Sequence, residues 1–579
     1  MALFYLGKLD QSQQFNIDNQ KIGYKISGNL KFKSFGFSNF HKLGIDNDNF
    51  LAIDDDFVAT TGSLIYDGQI GLFALKAIYN NYNGDVPSLR KHLIGNYALI
   101  IKKGDEITIF GEEYYVYDIY WYNKNGVWGV SNDLYSFFKY NRDYISINQN
   151  NILQRIYLSA ILDNETEFND VYRLSGDQKL VLDIKQDKLI IEKVSVKWKQ
   201  PYQNYEDSVG KISDALIKVG SIITNVYPTH SICMTGGLDS RMYLASLLAN
   251  KAKPLLLYGK GNSLITNTHH EDYDICKLYS EKYGLHLKQM DWSTPIPIDK
   301  YWNDFLNRYG LLSMTYDASD KLFEGFENNS AVFVTFGYFG ELYRNVKELE
   351  DVKNLTFDIF INDYYLKKGS AETMIPLLCY NYADFVKTIK VKYEKVLFSK
   401  TGHTSATFQP EDNICLMQEY RARADSQMLN FANRICNCIY ILSQYDVLSN
   451  ANVFVEEMRN CSLMLSVLKR TYPSILEIPF FTHQHRMIYS EKKNIIEEPK
   501  FCKIRHMLGG FLPLLLKAKL MGFNSRTNNE EAKEFQHSID KLLKKYMIGK
   551  YPQLSLISNS NLDLRGLLDH CMFENMFSR

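Results

Sequence analysis

Residues 230–246 read HSICMTGGLDSRMYLAS: a five-residue run too short for a helix, two adjacent glycines, then a helical pattern with Leu244, Leu247 and Leu248 at i, i+3 and i+4. This strand-to-helix turn lies in a part of the chain, from about Tyr202, where strand-like and helix-like segments alternate, as expected for a parallel sheet covered by helices. The turn between them is where a helix offers unpaired backbone N–H groups. Glycine lets an anion approach that backbone without a Cβ in the way. Gly236, Gly237 and Leu238 supply the bare turn, and Thr235 and Ser240 add hydroxyl donors. Asp239, in the same loop, would repel a phosphate unless a divalent cation sat between them, so the pattern calls for magnesium. The simpler alternative is a plain glycine turn with Asp239 as helix cap.

The rest of the chain divides in texture near residue 200. Up to Trp198, runs rich in Val, Ile and aromatics alternate with turn signals, as in NYALIIKKGDEITIFG and QKLVLDIKQDKLIIEKVSVKW. This predicts an antiparallel β domain over residues 1–200, with hairpin loops at Lys103-Gly104-Asp105 and Asn123–Gly126 and helices near Gly71–Asn80 and Gln149–Leu162. Residues 201–579 alternate strand-like and helix-like segments and turn mostly helical from Tyr364. A chain of 579 residues is too long for one core, so two domains suit its length. Basic and acidic residues both number 66, which removes any global field that would draw in nucleic acid or an anionic membrane. The start, MALFYLGKLD, has no basic-then-apolar pattern, and no run of 18 apolar residues occurs, so a cytoplasmic protein is expected. The nine cysteines all lie at or beyond Cys233, include no CxxC and predict reduced thiols.

MTGGLDS resembles the pyrophosphatase loop, SGGxDS, of the PP-loop ATPases, with Thr235 in the usual serine position. KPLLLYGKGNS looks like their second strand, which by resemblance places Tyr258 and Gly259 beside the adenine of ATP. EDYDICKLYSEKYGLHLKQM looks like the following helix, with Ile275, Leu278 and Tyr279 on one face and Gly284 as its C-cap, and AVFVTFGYFGELYRN like the strand and loop carrying a second acid. Upstream, LRKHLIGNYALIIKKGDEITIFGEEYYVYDIYWYNKNGVWGVSND resembles the end of the glutaminase domain of asparagine synthetases, and DVYRLSGDQKLVLDI their hairpin into the synthetase half. The chain is thus similar to the asparagine-synthetase-like family over roughly residues 50–490. The implied fold is α+β in front, an N-terminal-nucleophile-hydrolase-like antiparallel sandwich with helices. Behind it the resemblance implies an α/β PP-loop domain with a parallel sheet and a helical C-terminal part.

Three departures refine the resemblance. Glutaminases of this kind use an N-terminal cysteine, whereas residue 2 is Ala2 and no cysteine precedes Cys233, so the front domain is expected to lack glutaminase activity. The same loss occurs in β-lactam synthetases and lasso-peptide cyclases, where the amine arrives on the substrate. Second, the family's GEGxDE loop reads Gly337-Tyr338-Phe339-Gly340-Glu341 here, closer to the GYGxD of β-lactam synthetases. The resemblance implies that Tyr338 belongs to the base that deprotonates the amine and that Glu372 polarises it. It also implies that Gly337 lines the ATP site and that Glu341 joins Asp239 as a magnesium ligand; a one-residue shift of register would put Gly340 there instead. Third, the family lysine expected after RTYPSILEIP is missing, with His483, His485, Arg486 and Lys492 as stand-ins.

Two other stretches carry alternatives. His269-His270-Glu271-Asp272 suits helix-start capping better than a metal cluster, because adjacent helical residues point about 100° apart. In QEYRARADSQMLNFANR, Arg421 and Arg423 either meet a substrate carboxylate or decorate a solvated helix face. The expected activity is an ATP- and magnesium-dependent ligase. It would adenylate a carboxylate and join it to an amine on a small-molecule or peptide substrate, with a precursor peptide and a protease as candidate partners. The alternatives are ammonia-dependent amidation of a small acid, or a non-catalytic scaffold.

Overall fold

The computed structural model describes residues 3–45, 48–141, 144–198, 204–260, 270–291, 333–344, 355–366, 372, 375–376, 380–451, 461–482, 485–490 and 494–497. The first twelve strands form two six-stranded antiparallel sheets. One contains β1 (Phe4–Lys8), β2 (Ile26–Lys31), β3 (Phe35–Phe40), β8 (Tyr120–Lys124), β9 (Val127–Ser131) and β10 (Val171–Arg173), in the order β10-β8-β9-β1-β3-β2. The other contains β4 (Phe50–Ile53), β5 (Asp56–Tyr66), β6 (Leu93–Lys103), β7 (Glu106–Gly111), β11 (Gln178–Asp183) and β12 (Lys188–Lys193), in the order β12-β11-β7-β6-β5-β4.

Strand alternation sorts the side chains into layers. Phe4 and Leu6 of β1 point inward against Phe57, Ala59, Ile100 and Ile109 of the facing sheet. Leu3 and Tyr5 point the other way, onto Phe15 of the helix Leu9–Lys21. On the far face of the second sheet, Val58, Leu99 and Ile101 pack under Ala74, Leu75 and Ile78 of the helix Gly71–Asn81. The result is helix, sheet, sheet, helix.

The expected hairpins are present. Gly104 has φ 60°, and Asn125 and Gly126 have φ 54° and 76°, the left-handed values such tight turns require. The helix Gln149–Leu158 also occurs. The helix Leu9–Lys21 is an addition to the expected elements. The face it buries consists of Ser12, Phe15, Asn16 and Asn19, and helical periodicity of polar residues leaves no hydrophobic signal.

The later part contains a five-stranded sheet of β13 (Ser231–Cys233), β14 (Leu255–Lys260), β15 (Leu287–Asp291), β16 (Phe333–Thr335) and β17 (Asn437–Cys438), with every pairing parallel. Its order, β15-β14-β13-β16-β17, starts in the middle and grows outward both ways. Such a sheet has a switch point between β13 and β16, where connections leave in opposite directions and open a crevice at the carboxyl ends of the strands. Beyond it come the helices Tyr382–Thr401, Asn413–Ile435 and Ser462–Thr471. The mostly helical expectation is then interrupted by a three-stranded antiparallel sheet, β18 (Phe480–Thr482), β19 (His485–Ser490) and β20 (Asn494–Glu497). Its alternation is spread over strands of three to six residues, too short for a clear period-2 pattern. Among the described residues no helix is long and apolar enough to cross a membrane. Six cysteines are described, all buried.

The helix Asn413–Ile435 lies along the seam between the antiparallel and parallel parts. Asn430 donates to Asp118 Oδ2 at 3.0 Å and accepts from the Asp118 N–H at 3.2 Å. Asn433 Oδ1 accepts from Ser63 Oγ at 2.7 Å and from Lys42 Nζ at 3.0 Å. The Lys42 ammonium also donates to the carbonyls of Gly62 and Cys436, and burial pushes it down to about 7. Arg421 and Arg423 are on this helix and form no solvated face: Arg423 is buried, Arg421 is half-buried, and both are ion-paired within the protein.

Glu419 concentrates the seam's charge. It meets Lys400 at 3.0 Å and Arg423 at 3.2 Å and accepts from the Tyr115 hydroxyl. Burial would raise this carboxyl, but the two cations outweigh burial and hold it at about 2. A depressed carboxyl stabilises the fold fully above its unfolded value of about 4.5 and loses that contribution as pH falls toward 2. Glu419→Gln should therefore cost about 3–5 kcal/mol at pH 7, because it strands two buried cations. Urea melts of both proteins at pH 7 and pH 3 should show the gap narrowing in acid; an unchanged gap would mean that Glu419 acts through packing alone.

Candidate functional site

The Thr235–Ser240 loop leaves β13 at the switch point and enters the helix Leu238–Ala249. Its bare backbone has two uses. The Gly236 N–H donates to Asp272 Oδ1 at 2.8 Å, and a Cβ at Gly236 would fall 2.5 Å from that oxygen. Asp272 therefore anchors the loop. Beside the capping expected of this acid stands a contact between helix and loop that no local pattern reveals, while His269 lies outside the described residues. Thr235 and Ser240 spend their hydroxyls within the turn: Ser240 Oγ accepts from the Thr235 N–H at 3.2 Å, and Thr235 Oγ1 accepts from the Gly237 N–H at 3.3 Å. The helix N-terminus itself, at Gly237, carries no side-chain cap. An uncapped helix N-terminus retains N–H groups that suit an anion.

Two neighbouring strands add to the crevice. Tyr258 and Gly259 are buried at the carboxyl end of β14, past the last residue of β13 paired with it, Cys233, which faces Leu257. From β16, Gly337 packs onto the loop helix so closely that a Cβ there would lie 2.7 Å from the Ser240 nitrogen. Tyr338 is half-buried, its ring 5.3 Å from that of Tyr440, and its carbonyl accepts from Tyr243 Oη at 3.1 Å. Phe339 adopts φ 69°, a left-handed conformation that a bulky residue takes only under constraint. The constraint is visible: its N–H donates to Asp425 Oδ2 at 3.3 Å. Gly340 then lies flat on Asp239, where a Cβ would collide with the carboxylate carbon.

Around this turn, among the described residues, three carboxylates face two guanidiniums. Arg344 Nη2 donates to Asp239 Oδ2 at 3.0 Å. Arg421 bridges Glu341 at 3.0 Å and Asp425 at 3.4 Å. Burial raises the Asp239 carboxyl, Arg344 opposes that, and Glu341 adds to the rise. Asp425 is likewise raised by burial, with Arg421 opposing and Glu341 adding. Sequence reasoning misses Asp425. Its one local signal is the four-residue spacing from Arg421 on the same helix. Tyr338 is pushed well above its ordinary value, first by burial and then by Asp425. The carboxylates acting on Tyr338 are thus Asp425 and Glu341. Glu372, expected there by resemblance, is exposed and exerts its charge on Tyr382.

The donor set fits a hard cation. Asp239 Oδ1 is buried without a hydrogen-bond partner, and the Glu341 carboxylate belongs to the same electrostatic network, so these two oxygens are the ones that would suit such an ion. Among the described residues no three acids, histidines or cysteines converge as a closed metal cage. Magnesium at a nucleotide commonly takes one or two carboxylates and completes its shell with phosphate and water. Of the basic residues expected after Pro479, His483 and Lys492 lie outside the described residues, while His485 and Arg486 are on β19. The segment before them is tied to the loop helix by Arg241, whose guanidinium donates to the carbonyls of Ile475, Ile478 and Pro479. Two cavities, of about 180 and 480 Å³, are lined by residues of the antiparallel part such as Lys139 and Trp128.

No family model matches the chain, and no curated protein is recognisably similar to it in sequence. Among solved structures, the allosteric regulatory enzyme of purine biosynthesis aligns at 7% identity over 50% of this chain and 80% of its own, with a TM-score of 0.24. The glutamine phosphoribosylpyrophosphate amidotransferase of B. subtilis, complexed with ADP and GMP, aligns at 9% identity over 58% of this chain and 82% of its own, also with a TM-score of 0.24. Likenesses at that TM-score carry no functional weight.

Proposed function

We propose that this chain is an ATP-dependent amide ligase of the asparagine-synthetase-like kind, with a PP-loop synthetase domain and a front domain that resembles an N-terminal-nucleophile glutaminase without its nucleophile. The observation that carries this reading is the meeting of the uncapped loop helix, Asp239 and Glu341 at the switch point of a parallel sheet. In the proposed reaction a substrate carboxylate oxygen attacks the α-phosphorus of ATP, and pyrophosphate leaves. An amine then attacks the acyl carbon of the adenylate, and AMP leaves with the former carboxylate oxygen.

Each residue has a part in this scheme. The first turn of the loop helix binds the departing pyrophosphate through its N–H groups. Asp239 and Glu341 would hold magnesium, which when bound neutralises charge on the leaving group. Tyr258 and Gly259 flank the adenine. The amine must lose a proton before or as it attacks. A phenol whose pKa lies above its ordinary value is protonated at neutral pH, so Tyr338 serves by passing its own proton to Asp425 while receiving the amine's. This relay replaces the role given to Glu372. The first 232 residues contain no cysteine and Cys233 is buried, which leaves no thiol to release ammonia from glutamine and favours an amine carried by the substrate.

Three outcomes test this reading. Magnesium and α,β-methylene-ATP should bind the wild-type protein in calorimetry, and Asp239→Asn should weaken that binding by about tenfold or more, a single cation ligand being worth more than about 1.4 kcal/mol. Equal binding by the variant would remove Asp239 from the site. Glutamine supplied to the purified protein should release no glutamate above background; sustained release would show a working glutaminase. With labelled ATP and a substrate extract, Tyr338→Phe should keep pyrophosphate release and lose about 10²–10⁴ of the amide product. Loss of both half-reactions together would make Tyr338 a packing residue, and retention of both would favour ammonia-dependent amidation.

A further inference from the structure

Asp239 and Arg344 touch at a single point. One nitrogen, Arg344 Nη2, meets one oxygen, Asp239 Oδ2, while Arg344 Nε and Asp239 Oδ1 are both buried and without a hydrogen-bond partner. A guanidinium and a carboxylate that exist only for each other close two parallel hydrogen bonds. The backbone of Gly340 pressed onto the carboxylate limits how that fork can form. What remains is a bare acceptor suited to a cation beside a bare donor suited to a phosphate oxygen.

The two partners also differ in freedom. Asp239 sits in the first turn of a helix, with Gly340 against it. Arg344 follows the short turn Gly340–Tyr343 in extended backbone, with 19% of its side chain exposed. Arg421, the other guanidinium nearby, is fixed by two carboxylates at once and is the wrong candidate for movement.

We propose that Arg344 is a latch for the phosphate loop. It holds Asp239 while no cation is present, yields Oδ2 when a divalent cation binds, and turns its guanidinium onto the pyrophosphate portion of the bound nucleotide. Arg344 then competes with the cation in the free protein and assists the nucleotide in the loaded one. No bond is made or broken; one ion pair is exchanged for another. The proposal rests on the nucleotide reading above and names a positioning residue for it, filling the need for a basic group that the sequence placed after Pro479.

The test measures Mn²⁺ binding by electron paramagnetic resonance, first alone and then with α,β-methylene-ATP, in the wild type, Arg344→Gln and Arg344→Lys. Without nucleotide, Arg344→Gln should bind Mn²⁺ about tenfold tighter than wild type, since its competitor is gone, and with nucleotide it should bind the Mn²⁺ complex about tenfold more weakly. Arg344→Lys, which keeps the charge, should restore both affinities toward wild type and provides the readout if the glutamine variant does not fold. Should Arg344→Gln leave the affinity for Mn²⁺ alone unchanged or lower while wild type binds the nucleotide complex, the latch is wrong and the nucleotide reading stands. Failure of the wild type to bind the nucleotide complex at all would overturn both.

Discussion

Everything near the candidate site depends on one buried helix whose polar side chains have nowhere to go but into one another. From Asn413 to Ile435 it carries Glu419, Arg423, Asp425, Asn430, Asn433 and Arg434, all almost wholly enclosed. Burying such groups is unfavourable unless each finds a partner. The partners come from opposite directions: Asp118, Ser63 and Lys42 belong to the antiparallel part, whereas Glu341 and Phe339 follow β16. The helix is therefore fixed in position by partners on both of its sides. That position sets Asp425 behind the turn carrying Tyr338 and supports the left-handed Phe339.

The parts of this arrangement legible in the sequence are those with local causes. The strand, glycine pair and helix at residues 231–249 declare themselves by period and composition, as do the Gly104 and Asn125-Gly126 hairpins. The illegible parts are those in which a polar residue is buried by a distant partner. Asp272 reads as a helix cap until Gly236 is seen against it, and Arg421 reads as a surface charge until Glu341 and Asp425 enclose it. The helix Leu9–Lys21 is hidden for the same reason, since Ser12 satisfies itself with Ser38 across the layer. Glu372 and Asp425 make the contrast sharpest: resemblance put a carboxylate beside Tyr338 along the chain, and the fold supplies one from a helix far downstream.

Electrostatics at the turn are governed by crowding. Three carboxylates within one network would not share a buried space if each kept its full charge in isolation. Arg421 neutralises the Glu341 and Asp425 side firmly, by contacting both, and Arg344 neutralises Asp239 through one bond. The asymmetry leaves the loop side more easily rearranged than the helix side, and the loop side is the one facing the uncapped helix terminus.

The seam between the two kinds of sheet has a further consequence, for how this sequence can drift. Lys42, Ser63 and Asn433 share hydrogen bonds in one enclosed cluster, and Asn96 holds the Tyr440 N–H while Gln444 accepts from the Gly95 N–H. Removing any one leaves the others with unanswered donors or acceptors, so substitutions there are coupled and acceptable changes must come in matched sets. The exposed side of the helix Gly71–Asn81, with Phe73 80% accessible, is under no such rule. The antiparallel part is thus free to diverge on its outer surface while it stays nearly frozen along the seam.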